Sequence, residues 1–327
     1  MQKLILKGLR NIYRKVSKAE FIGNPWPEDG EWDSSNQLLT QLLSNDKPCF
    51  IGRIGTVECA VVVNYITVND KSSFLKRCIN YIVDDTRMPI WDTGKPFYQL
   101  ENNAGFFSDK GVCIEEAEKF AKLYLKEIPL MDVCGRFSYP EKFLPFNESC
   151  KMVQLESLYP FFTDNPWTKT LEGKKVLVIH PFKETILYQY NNHRRDLFKN
   201  NNILPDFDLD VIKAVQTIAG EKSKFNNWFE ALDYMKEEIN KRQFDILIVG
   251  CGAYGLPLAS FGKQLGKKAI HLGGGTQLLF GIKGKRWENN YHGNDTRFAD
   301  LFNENWVYPK QNERPRNADK IEGGCYW

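Results

Sequence analysis

Asp245-Ile-Leu-Ile-Val249, Gly250-Cys-Gly252-Ala-Tyr-Gly255, Leu256 to Leu265 and Lys268-Ala-Ile-His-Leu272 follow one another almost without a gap in this 327-residue chain. The first piece is a short, wholly apolar run, the pattern of a strand buried on both faces. Glycines then let the backbone turn tightly. The next ten residues read as a helix, ended by Gly266 as a C-cap. A second apolar strand follows and stops at Gly273-Gly-Gly275. Strand, glycine turn, helix and strand make a βαβ unit, which requires a parallel sheet with covered faces. The expected fold class is therefore α/β: a Rossmann-like, mostly parallel sheet with helices on both faces.

Upstream, Lys175-Val-Leu-Val-Ile-His180 repeats the buried-strand pattern and is closed by Pro181. Asn227 and Glu230 have the spacing of a capping box ahead of a helix whose apolar stripe is Trp228, Leu232, Met235 and Ile239. Cys49 to Arg53, Gly55 and the apolar run Cys59 to Ile66 again read as strand, turn and helix. Residues 70–170 are poorly patterned, with many aromatics and Pro-containing turns. Asn24 to Asn36 is rich in turn formers and is expected to be a linker. The expected layout is a basic amphipathic helix over 1–23 and an α/β domain over 24–305, in two closely packed halves split near 170. An irregular tail over 306–327 follows, its aromatic end packed on the body.

The composition, 42% hydrophobic and 26% charged, is that of a globular chain and excludes disorder, collagen and coiled coil. Eight scattered cysteines without a C-x-x-C read as reduced thiols. No apolar run approaches the roughly 18 residues of a membrane span, and the start lacks a signal-peptide core. A cytoplasmic location is expected. Lys3, Lys7, Arg10, Arg14, Lys15 and Lys18 precede the first acid, while Ile5, Leu9, Ile12 and Val16 recur at helical spacing. Such a helix either packs on its own domain or lies peripherally on the anionic inner face of the plasma membrane. Those six charges exceed the net +3 of the chain, so the remainder is slightly acidic and no nucleic-acid partner is expected.

Four places can carry chemistry. Gly250, Gly252 and Gly255 would let a phosphate approach a helix N-terminus. The strand after them ends in His271-Leu-Gly-Gly-Gly-Thr276, without the acid of a dinucleotide site, which disfavours NAD. Arg53-Ile-Gly55-Thr56-Val-Glu58 lies where a strand hands over to a helix; there Arg53 can pair with an anion and Glu58 can serve a metal–diphosphate unit or complement the helix dipole. Gly273, Gly274, Gly275 and Thr276 allow close approach to a ligand, with Lys283, Lys285 and Arg286 just beyond as diphosphate partners or surface charges. His180, with Arg195 further on, supplies a candidate base and anion clamp. Asp206-Phe-Asp208-Leu-Asp210 reads as a solvated strand edge despite its D-x-D pattern, and Asp84-Asp85 as a helix C-terminal turn. The chain has no G-x-S-x-G, H-E-x-x-H or Walker loop.

Arg53-Ile-Gly-Thr-Val-Glu58 resembles the R-[FI]-G-D-G-E signature of the bacterial glycosyltransferases of GT-D fold. Gly252-Ala-Tyr-Gly-Leu-Pro-Leu-Ala259 and Gly266-Lys-Lys-Ala-Ile-His-Leu-Gly273 look like the later G-P-T-A and G-x-x-A-x-D-x-G segments of that family. Val176-Leu-Val-Ile-His180, with the arginines before Asp196-Leu-Phe198, is a looser match between them. The resemblance covers roughly residues 35–290. It implies transfer of a sugar from a nucleotide sugar to a glycan or lipid-linked saccharide in surface polysaccharide synthesis. It further implies a divalent metal, Mn²⁺ or Mg²⁺, held through Glu58. Thr56 stands where the family has its first acid, and His271 where it has the later Asp. His180 and His271 are the candidates for the base. The alternatives are a non-catalytic subunit of a polysaccharide assembly complex and a dinucleotide-dependent Rossmann enzyme.

Overall fold

The computed structural model describes residues 2–17, 32–83, 87–288, 296–320 and 324–327. Seven strands form one all-parallel sheet: β1 Cys49–Gly52, β2 Val133–Arg136, β3 Lys151–Gln154, β4 Lys175–His180, β5 Asp208–Lys213, β6 Ile246–Val249 and β7 Lys268–His271. Their order across the sheet is β3-β2-β1-β7-β6-β4-β5. The fold is α/β and Rossmann-like. β7 pairs with both β1 (Ile51 opposite Ile270) and β6 (Val249 opposite His271), so strands from before and after residue 170 share one ladder.

Alternation along the strands explains the layers. Phe50, Leu177, Ile179, Leu247 and Val249 point into one core; Ile51, Val176, Val178, Ile248 and Ile270 point into the other. The first core is covered by α3 Thr56–Val68, α5 Lys95–Asn102, α6 Ile114–Glu127, α8 Trp228–Asn240 and α9 Gly255–Gln264. The second is covered by α2 Trp32–Ser44, α7 Lys183–His193, α10 Gly275–Leu279 and the short α11 Lys285–Glu288. The remaining helices, α1 Gln2–Ser17 and α4 Phe74–Val83, pack on each other at the side. No helix among the described residues is long and apolar enough to cross a membrane.

The expected linker needs correction. Residues 24–31 lie outside the described residues, and Trp32 to Asn36 form the first turn of α2. Asn36 is fully buried: its amide donates to the Trp32 carbonyl at 2.9 Å and its oxygen accepts from the Trp167 N–H at 3.1 Å. It is a tertiary anchor rather than a turn former. Asp84 and Asp85 also lie outside the described residues. Asp206, Asp208 and Asp210 flank and begin the edge strand β5, exposed, with Arg194 and Arg242 beside the first and last. They form a solvated edge, as the sequence suggested. In the tail, Cys325 and Trp327 are buried against the body.

Candidate functional site

A cleft of about 740 Å³ opens above the carboxyl ends of β1, β7, β6 and β4. Chain order reverses here, since β4 leads outward to β5 while its neighbour β6 leads back to β7; open α/β sheets bind ligands at such a switch point. Parallel pairing aligns the strand ends, which brings together Arg53, His180, Gly250, Gly252, His271, Gly273 and Gly274.

Among the described residues, Arg53 is the one charged side chain that lines the cleft. Its guanidinium lies over the Phe137 ring at 4.8 Å, and its buried Nε has no hydrogen-bond partner. Gly273 adopts φ +57°, and a Cβ there would come within 3.3 Å of the Arg53 side chain, so glycine gives the arginine its lane. The N–H groups of Cys251, Gly252, Gly273 and Gly274 donate to no backbone carbonyl among the described residues. One cation and a set of unspent N–H groups suit an anion.

The two histidines are fixed in opposite tautomers. His180 Nδ1 accepts the Phe182 N–H at 3.0 Å, which places its proton on Nε2. His271 Nδ1 lies 3.2 Å from the Val249 carbonyl, an acceptor only, which places its proton on Nδ1 and leaves Nε2 with a lone pair. Burial pulls both down to about 3; the Arg53 charge also bears on His271. Both rings are neutral at ordinary pH. His180 offers an N–H donor, and His271 offers an acceptor. Of the two candidate bases, only His271 has a free lone pair.

The other sequence-chosen residues stand behind or away from the cleft. Gly255 begins α9 directly against His271, where a Cβ would lie 2.0 Å from Cε1; it serves helix–strand contact. Gly250 lines the cleft but has the buried side chain of Thr276 behind it, and Gly275 faces Tyr159. Glu58 folds back over Gly55 in the first turn of α3, buried, its carboxyl pushed up by burial against the opposing pull of Arg53. Thr56 is exposed. Arg195 sits exposed beyond the far end of α7 and is not brought in. Lys283 and Lys285 do not line the cleft, and Arg286 donates to the Tyr326 hydroxyl at 2.9 Å.

These positions give a divalent ion no cluster of protein ligands. Glu58 is a single buried acid without a second carboxylate beside it, and no three His, Cys, Asp or Glu side chains converge among the described residues. The other acid near Arg53 is Glu141. Its carboxylate accepts N–H bonds from Phe137 and Ser138 at 3.2 and 3.3 Å, and burial raises it to about 7.

Several cleft residues had no sequence signal. Asn103 and Gly105 follow α5; Gln216, Thr217 and Ile218 follow β5; Tyr326 and Trp327 come from the tail. Thr217 Oγ1 donates to the Gly105 carbonyl at 2.5 Å, which ties two rims together. Ala219, in the left-handed region at φ +59°, ends the second rim, a strained placement of about 1 kcal/mol. The tail also spends the N-terminus of α7. The Glu313 carboxylate accepts the Glu184 and Thr185 N–H groups at 2.7 and 3.2 Å, so that helix end is already filled by the chain's own anion. Compared with known proteins, the chain matches no family model, no curated protein and no solved structure.

Proposed function

We propose that this protein is a glycosyltransferase whose cleft binds the diphosphate of a nucleotide sugar and passes the sugar to a glycan or lipid-linked acceptor. One observation carries the reading: Arg53, whose buried Nε has no hydrogen-bond partner, lines the same cleft as the glycine turns after β6 and β7 at the switch point of a parallel sheet. Arg53 and the turn N–H groups hold the diphosphate and stabilise its charge as the sugar leaves. His180 Nε2–H adds a neutral donor, and His271 Nε2 accepts from the acceptor hydroxyl and orients it. No step is routed through a metal.

A second reading is a non-catalytic subunit of a polysaccharide assembly. It is favoured by the exposed Thr56 where the resembling family has an acid, and by the buried Glu58 as its one remaining partner.

Thermal shift with nucleoside diphosphates, nucleotide sugars and NAD(P), each with and without EDTA, tests the site. A ligand at a hundred times its Kd should stabilise the protein by about 2.7 kcal/mol. One nucleoside diphosphate should do so in EDTA, and Arg53→Gln should remove at least tenfold of that affinity. Transfer or hydrolysis of the matching donor separates enzyme from subunit. Silence toward every diphosphate, or an unchanged response in Arg53→Gln, overturns the cleft assignment.

A further inference from the structure

α1 and α4 stand apart from both sheet cores. Leu6 is the one buried residue of α1, and it joins Cys78, Tyr81 and Met88 in a small cluster of its own. Most of the other large apolar side chains of the pair face solvent, Ile82 being packed against that cluster. On α1 these include Ile5 (55% exposed), Leu9 (45%), Ile12 (60%) and Val16 (77%), at steps of four, three and four residues. On α4 they are Leu75 (70%), Ile79 (48%) and Val83 (42%), at steps of four. Each set is one helical stripe. Because the helices pack on each other, the stripes belong to one unit. Apolar exposure on this scale marks a surface that meets something.

The charge on the pair indicates what it meets. The two helices carry seven basic residues (Lys3, Lys7, Arg10, Arg14, Lys15, Lys76 and Arg77) and no acid. Beneath α1 lies a cavity of about 530 Å³ lined by Lys7, Arg10, Arg87, Asn64, Tyr81 and Asp92, among others. Asp92, its one acid among the described residues, is engaged by Lys3. Arg10 lies over the Tyr81 ring at 4.6 Å, and the buried Nε of Arg87 has no hydrogen-bond partner. A second copy of this chain would bring the same positive charges against these, and a symmetric contact would set like against like. An anionic bilayer supplies the opposite charge and an apolar layer a few ångströms below it.

We propose that α1 and α4 together form a two-helix foot that docks on an anionic membrane surface. The paired stripes enter the boundary between headgroups and acyl chains, and the cavity lined by Lys7 and Arg87 receives a lipid phosphate. This rests on the helix pair alone and stands or falls separately from the chemistry of the cleft. The part of α4 is the new element, since a single basic helix would need no second stripe.

The test is flotation of the whole protein with phosphatidylcholine vesicles, and with vesicles in which about one-third of the lipid is phosphatidylglycerol. The protein should float with the anionic vesicles and not with the neutral ones, and salt should release it. The pairs Leu9→Ser with Ile12→Ser, and Leu75→Ser with Ile79→Ser, should each weaken flotation at least about tenfold. All four positions are exposed, so melting temperature serves as the folding control. Arg87→Gln should weaken flotation with the anionic vesicles. Absence of flotation overturns the proposal. An effect of the α1 pair without one of the α4 pair overturns the two-helix foot. A lipid-free dimer in light scattering that the same substitutions dissolve would assign the face to self-association instead.

Discussion

His180 and His271 sit at the same sheet edge, yet each makes a different bond with its Nδ1, and that decides what each shows the cleft. The same burial gives them a pH signature. Both fall from 6.5 to about 3 on folding, so the unfolded chain binds protons there that the fold does not. Their contribution is complete above about 6.5 and is lost as pH falls toward 3. His180→Gln, whose amide oxygen can still accept the Phe182 N–H, should therefore melt progressively higher relative to the parent as pH is lowered through this window. Glu141 runs the other way. It rises from 4.5 to about 7, so its contribution is complete below 4.5 and is lost as pH climbs through 7. Glu141→Gln should gain on the parent toward alkaline pH, and melting curves across the pH range read both trends. At this scale the sequence revealed the residues on strand ends. Arg53, His180, His271 and the turn glycines were legible because parallel strands end together. Asn103, Gln216, Thr217 and Tyr326 were not, because they reach the cleft on loops and a tail whose positions depend on contacts far away in the chain.

Elements were legible in proportion to their length and periodicity. β4, β6, β7 and the helices α3, α8 and α9 came through within a few residues. β2 (Val-Cys-Gly-Arg) and β3 (Lys-Met-Val-Gln) are four residues each and carry no alternation that a window can find. α2 was hidden because short polar residues serve equally as turn formers and as buried hydrogen-bonding groups. The capping box of α8 holds with one shift. The Asn227 side chain accepts the Glu230 N–H at 3.0 Å, while the Glu230 carboxylate reaches the N–H of Asn226 rather than that of Asn227. Trp228, the first residue of α8, stacks on Tyr254 of the cleft wall, with centroids 4.8 Å apart and planes 9° from parallel. The cap thus supports the site as well as the helix. Asn227→Ala should cost about 1 kcal/mol. In urea that is a lower midpoint with an unchanged slope.

At the scale of the molecule, the sheet has its best-protected strands in the middle and its separable part at the side. Amides of β1, β6 and β7, buried on both faces, should exchange with solvent only through global unfolding. Those of α1, which buries Leu6 alone, should exchange through local opening; hydrogen exchange resolved by segment distinguishes the two. The α/β class was legible from one βαβ unit, but the strand order was not, because nothing local says that β7 lies next to β1. That adjacency also sets when the protein can fold. A nascent chain that has emerged only through β6 holds two strand groups, β1 to β3 and β4 to β6, with no ladder between them. Until β7 leaves the ribosome, the inner edges of both groups present unpaired N–H and carbonyl groups to any strand nearby. The inner edge of β1 therefore stays open from the emergence of β1 until that of β7, most of the time of synthesis, and that interval is where a holding chaperone would matter most.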